Sequence, residues 1–161
     1  MPNEQKELDE IRRLITRWVA EITLSDAGSY FDINKIAEGI SQQLLNLVYD
    51  YNLVDLNEER INYPGIDLGD RKAGIAFQVT ARTDLAKIRD SLDKYVKYGL
   101  DKDFPAGVRF LILNEKKIRE GRMEDYASVF DHQKDIIYAH SLINSTRGSL
   151  SLARPGAENR C

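Results

Sequence analysis

Apolar residues recur at spacings of three and four along the first stretch of the chain: Leu8, Ile11, Leu14, Ile15, Trp18, Val19 and Ile22. That period predicts an amphipathic helix, with Glu7, Glu10, Arg13 and Arg17 on the opposite side. Ser25, Asp26 and Gly28 then break the pattern. A second helix is expected from Asp32 or Asn34, either of which can cap free backbone N–H groups. It carries Ile36, Ala37, Ile40, Leu44, Leu47, Val48 and Tyr51 along one side and stops near Asn52.

The middle of the chain changes period. Leu53 to Leu56 and Ile66 to Asp70 read as short strands, and Asp70 to Gly74 as a hairpin turn. In the returning strand, Ile75, Phe77 and Val79 alternate with Ala76, Gln78 and Thr80. Thr83 or Asp84 is placed to cap a third helix whose buried stripe is Leu85, Ile88, Leu92, Tyr95 and Val96, and Gly99 to end it. Val108 to Leu113 contains a continuous apolar run, as in strands covered on both faces. A helix is expected over 123–130 and a last strand over 135–139. The order predicts an α/β fold: a mixed central sheet, begun by a three-strand meander, with helices on both faces and an amphipathic helix in front. One domain is expected over residues 1–145, with its core at about 31–140. Residues 146–161, rich in Ser, Gly, Arg and Pro, read as a flexible tail or a junction to a longer protein.

Composition narrows the function classes. At 161 residues the chain is long enough to bury a core without staples. Its single cysteine, Cys161, excludes an internal disulfide framework and a Cys-based zinc site. His132 and His140 lack metal-ligand spacing. No apolar run reaches membrane-spanning length, and the polar N-terminus lacks a signal-peptide core, so a cytoplasmic protein is expected. The net charge of -3 argues against a protein that coats DNA, yet leaves room for a local basic groove. Lys87, Arg89, Lys94 and Lys97 form one basic group, and Lys116, Lys117, Arg119 and Arg122 another.

The chemistry concentrates in Tyr63-Pro64-Gly65-Ile66-Asp67-Leu68-Gly69-Asp70 and Gly74-Ile75-Ala76-Phe77-Gln78-Val79-Thr80. Residues i and i+2 of a strand share a face, so Gln78 and Thr80 project together. Pairing in register would bring Asp67 beside them, and oxygen ligands so grouped suit a hard cation. Pro64-Gly-Ile-Asp-Leu-Gly-Asp70, Phe77-Gln-Val-Thr80 and Tyr30-Phe-Asp-Ile-Asn34 together resemble the SMEK domain. More broadly, the element order resembles the PD-(D/E)XK nuclease superfamily. The resemblance runs from about Leu8 to Tyr138.

The resemblance implies a restriction-endonuclease-like core and Mg2+- or Mn2+-dependent hydrolysis of DNA phosphodiester bonds, in a bacterial defence or conflict system. Asp67 matches the first metal-binding acid. Gln78 stands where the superfamily usually has Asp or Glu, and its carbonyl oxygen would join Asp67 and the Val79 carbonyl as metal ligands. Thr80 stands where the catalytic lysine should be. Lys87 on the following helix is the candidate replacement, with Arg82 and Arg89 as nucleic-acid contacts. Glu38 resembles the extra acid that some members carry on a helix, and Asp70 is a further accessory acid. Pro64 precedes Asp67 by three residues rather than one. The expected partners are DNA, a second copy of the chain, and an effector, C-terminal or separate. The losses at Gln78 and Thr80 also fit a catalytically inactive fold that binds nucleic acid or protein, or that dimerises.

Overall fold

The computed structural model describes residues 2–24 and 30–142. Two helices open the chain, α1 (Pro2–Leu24) and α2 (Tyr30–Tyr49). The break expected at Ser25, Asp26 and Gly28, and the tail from residue 146, lie outside the described residues. Because α2 is under way at Tyr30, Asp32 and Asn34 lie within it rather than capping it. It ends at Tyr49, earlier than Asn52, where Asp50 turns left-handed with φ 57°.

Five strands follow: β1 (Val54–Asp55), β2 (Leu68–Asp70), β3 (Ile75–Thr80), β4 (Gly107–Ile112) and β5 (Ile136–Tyr138). They form one sheet in the order β1-β2-β3-β4-β5. The first three pair antiparallel, and β3-β4 and β4-β5 pair parallel. The expected meander and parallel crossover are therefore present. The crossover from β3 to β4 is α4 (Leu85–Lys97).

The alternation along β3 sorts the core into two layers. Ile75 and Phe77, with Leu68 and Leu111, pack against Ile15 and Val19 of α1 and Ala37, Leu45 and Val48 of α2. Ala76, with Val108, Phe110 and Ile112, packs against Ile88, Leu92 and Tyr95 of α4. The apolar side of α2 is wider than its seat: Ile36 (63% exposed), Ile40 and Leu47 face outward. Val96 of α4 likewise faces solvent, and Ser91 takes a buried place in that helix's stripe.

Three local features escape the hydrophobic pattern. A single turn, α3 (Leu56–Glu59), interrupts the path from β1 to β2, capped by the Asp55 side chain accepting from Asn57 N. Another, α5 (His132–Asp135), precedes β5. Over 123–130 the expected helix is only a 3-10 turn at Glu124–Tyr126. The segment is a strap instead. Met123, Tyr126, Val129 and Phe130 pack onto the α4-side core, and the Tyr126 hydroxyl donates to Asp93 on α4 at 2.7 Å. Isolated turns, closed by Tyr126 N on the Met123 carbonyl and Phe130 N on the Tyr126 carbonyl, combine with these core contacts to set its path.

Candidate functional site

The site begins where the hairpin opens. Asp67, just before β2, donates its backbone N–H to the Phe77 carbonyl and accepts at its own carbonyl from Leu56 N, both at 2.9 Å. With its backbone held between the neighbouring chain segments, its side chain takes the same sheet face as Gln78. Asp67 Oδ2 accepts from Gln78 Nε2 at 2.8 Å and from Val79 N at 2.9 Å. The Asn57 side chain is a further hydrogen-bond partner. Asn57 is aimed by α3, and its Oδ1 also accepts from Tyr63 N.

Gln78 is buried on a strand. Its Nε2 serves Asp67 and lies 3.4 Å from the Val79 carbonyl, while Ser91 Oγ of α4 donates weakly to its Oε1 at 3.5 Å. This partnership accounts for an amide placed in an apolar layer. Half a turn of the carboxamide would exchange its two ends without changing its shape. Thr80 is on the same face, where its Oγ1 accepts from Arg82 N at 3.1 Å.

Helices on both sides complete the site. Two cavities, of about 610 and 720 Å3, share four lining residues: Glu38 of α2, Asp67, Gln78 and Lys87 of α4. Burial raises the Glu38 carboxyl to about 7, helped by the negative charges of Asp67 and Asp55 and opposed by Lys35. Burial also raises Asp67, to about 6, against the Val79 N–H bond, the Lys87 charge and Asn57. Two acids, with the ammonium groups of Lys35 and Lys87 nearby, thus meet in a partly desolvated junction, a combination typical of functional sites.

The SMEK domain profile matches residues 10–147 of this sequence. The chain belongs to the SMEK domain family. No curated protein and no solved structure matches it.

In this SMEK domain the expected residues separate into two groups. Asp67, Gln78, Lys87 and Glu38 converge, and Val79 and Thr80 line the larger cavity beside them. Asp70 does not join them. It closes the turn, accepting from Asn52 N at 2.8 Å and Ala73 N at 3.0 Å, and these bonds lower its pKa. Arg89 lines neither cavity and donates to the Arg122 carbonyl at 2.8 Å. Arg82 lines the larger cavity, with its guanidinium on the Asp84 carboxylate. Asp84, one of the two expected caps, stands at the N-cap position of α4 with its side chain on Arg82.

Asn57 and Ser91 are the partners that sequence reasoning missed. Ser91 carried a readable signal: a small polar residue beside Leu92 and three positions after Ile88, inside the apolar stripe. Asn57 carried none, because its role depends on the α3 turn. Among the described residues, no group of three or more His, Cys, Asp or Glu could hold a metal ion. The oxygen set here is two carboxylates, a carboxamide and a backbone carbonyl. Among the described residues, no helix is long and apolar enough to cross a membrane.

Proposed function

We propose that this SMEK domain is a metal-dependent nuclease-like hydrolase of DNA phosphodiester bonds, built on a restriction-endonuclease-like core and working in a bacterial defence or conflict system. The observation that carries the reading is the junction of Glu38, Asp67, Gln78 and Lys87, contributed by two strand segments and by helices on either side of the sheet. The meander followed by a parallel crossover supports the core assignment, and the resemblance of the sequence blocks supports the defence setting.

Mg2+ or Mn2+ fits the donor set, since hard cations take oxygen ligands and keep waters for the rest. Glu38, Asp67, the Gln78 carboxamide oxygen and the Val79 carbonyl would hold it. When bound, such an ion polarises a phosphoryl oxygen and lowers the pKa of an attacking water. The chain's own groups do the positioning. Val79 N–H and Asn57 orient the Asp67 carboxylate. Ser91 can accept from the turned carboxamide, so that Gln78 presents oxygen to the junction. The Lys87 ammonium offsets negative charge at a bound phosphate, the task that Thr80 cannot perform.

The test is incubation of the pure protein with Mg2+ or Mn2+ and, in parallel, with plasmid DNA and with single-stranded circular DNA. Cleavage that disappears with Asp67→Ala is expected. No cleavage, or cleavage unaffected by that substitution, defeats the hydrolytic reading.

One observation favours a second reading, a module that binds nucleic acid or a protein partner without cutting. Gln78 Nε2 donates to Asp67 Oδ2 at 2.8 Å, which turns the amide nitrogen rather than the carboxamide oxygen toward the carboxylate. Melting in the presence of Mn2+ separates the two readings, because a ligand that binds only the native state raises its melting temperature. An inactive module would show no such rise.

A further inference from the structure

The two cavities leave the shared junction in different chemical company. The larger continues past Thr80 and Thr83 to Arg82, Asn114 and Lys116. The smaller continues past Tyr63 and Pro64 to Ile61, Lys94 and Tyr98. Ile61 is 84% exposed and Tyr98 50% exposed, so neither is explained by core packing.

The walls of the smaller arm are fixed. On one side, Lys87, Ser91, Lys94 and Tyr98 follow one another at spacings of four, three and four, the repeat of a single helix face. That face places Tyr98 roughly 16 Å from Lys87 along the axis of α4. The facing loop is pressed onto the helix at Gly65. Its φ is 71°, and a Cβ there would lie 3.0 Å from Lys94 Cβ and 3.1 Å from the Ser91 carbonyl. Asn57 pins the same loop through Tyr63 N. The arm is thus already formed in the free protein.

We propose that the two arms form one track for an unstacked nucleic-acid strand, with Tyr98 and Ile61 as a platform for a base several steps from the phosphate held at Lys87. The hydrolytic reading enters only through the position of that phosphate. In a duplex the base faces are covered by their neighbours, and only edges, sugars and phosphates are offered. An exposed aromatic ring beside an exposed aliphatic side chain has little to bind there. An unpaired base offers its face to such a ring, and stacking of this kind is tolerant of sequence.

The arms also carry cations for the phosphates of a strand. Lys87 stands at the junction, Lys35 lines the smaller arm and Lys116 the larger, while Lys94 is paired with Asp90 at 2.9 Å and Arg82 with Asp84 at 2.6 Å. Lys97 Nζ lies over the Tyr98 ring, 5.3 Å from its centroid, so a stacked base takes the face that the ammonium group leaves.

The experiment is fluorescence anisotropy with labelled oligothymidylate as DNA and as RNA, each alone and annealed to its complement. Ca2+ is the only divalent ion, so that binding is read apart from cleavage. The single strand should bind at least about tenfold more tightly than the duplex, in line with the contribution of one stacked base. Tyr98→Ala should remove about that factor on the single strand and leave the duplex unmoved, while Tyr98→Phe, which keeps the ring, should bind as the natural protein does. The tighter of the DNA and RNA arms identifies the sugar. Duplex binding as tight as single-strand binding, or single-strand binding indifferent to Tyr98→Ala, overturns the proposal. Tyr98-dependent strand binding without any cleavage would sink the hydrolase and keep the track. Cleavage of duplex without Tyr98 dependence would do the reverse.

Discussion

The β2–β3 hairpin carries an aspartate at each end, and the two have opposite surroundings. At the closed end, Asp70 receives backbone N–H groups from Asn52 and Ala73. These stabilise the charged form, and its pKa falls. At the open end, Asp67 is desolvated in the company of Glu38 and Asp55, and its pKa rises to about 6 despite the Val79 N–H and Lys87. The residues are three positions apart and chemically identical. Each accepts hydrogen bonds from the fold, but at Asp67 burial outweighs them, which is the condition in which a carboxylate gains from a further positive partner.

The comparison can be broken at several points. The largest effect is expected from Asp67→Ala, which should lower Mn2+-dependent DNA cleavage by at least about 100-fold, close to 2.7 kcal/mol in the transition state. Asp70→Ala should leave cleavage per folded molecule unchanged yet cost about 3 kcal/mol in urea denaturation, because Ala73 N in the turn and Asn52 N in the α2–β1 connection lose a charged acceptor. Gly69, between them, has no room for a side chain: a Cβ there would lie 2.6 Å from the Phe104 ring. Gly69→Ala should therefore destabilise by about 2 kcal/mol, read in the same titration, through overpacking.

The smallest effect is a dependence on pH. Glu38 has a raised folded pKa, so its contribution to stability is intact below its unfolded value of 4.5 and is lost as pH rises through about 7. Without metal, Glu38→Gln should be more stable than the natural protein by about 1 kcal/mol at pH 8, allowing for partial exposure, and equal to it at pH 4. Asp70 runs the other way: its stabilisation is present above 3.8 and fades as pH falls through its lowered folded value.

Much of this arrangement was legible in the sequence because it rests on period. The alternation of Ile75 to Thr80 put Gln78 and Thr80 on one face, and just beyond the last paired position, Leu68↔Phe77, the Asp67 side chain meets Gln78 through a hydrogen bond. Lys87 lines both cavities. Glu38 was harder to read because it lies off the apolar stripe of α2. Being off the stripe is what lets it reach the junction, at the margin of the buried line Ala37, Ser41, Leu45 and Val48. The strap over 123–130 resembled a helix because Met123, Tyr126, Val129 and Phe130 have helical spacing, yet isolated turns together with their burial against α4 determine the path. Asp70 and Arg89 were readable as residue types but not as partners. The backbone N–H groups and the Arg122 carbonyl that engage them are in place only in the folded chain.

The central claim is that the open end of the hairpin is a divalent-cation site and the closed end is not. Calorimetric titration of Mn2+ into the natural protein, Asp67→Ala and Asp70→Ala tests it directly. The account predicts one Mn2+ bound per chain in the natural protein and in Asp70→Ala, and none in Asp67→Ala. Absence of binding to the natural protein, or binding that survives Asp67→Ala, would contradict it.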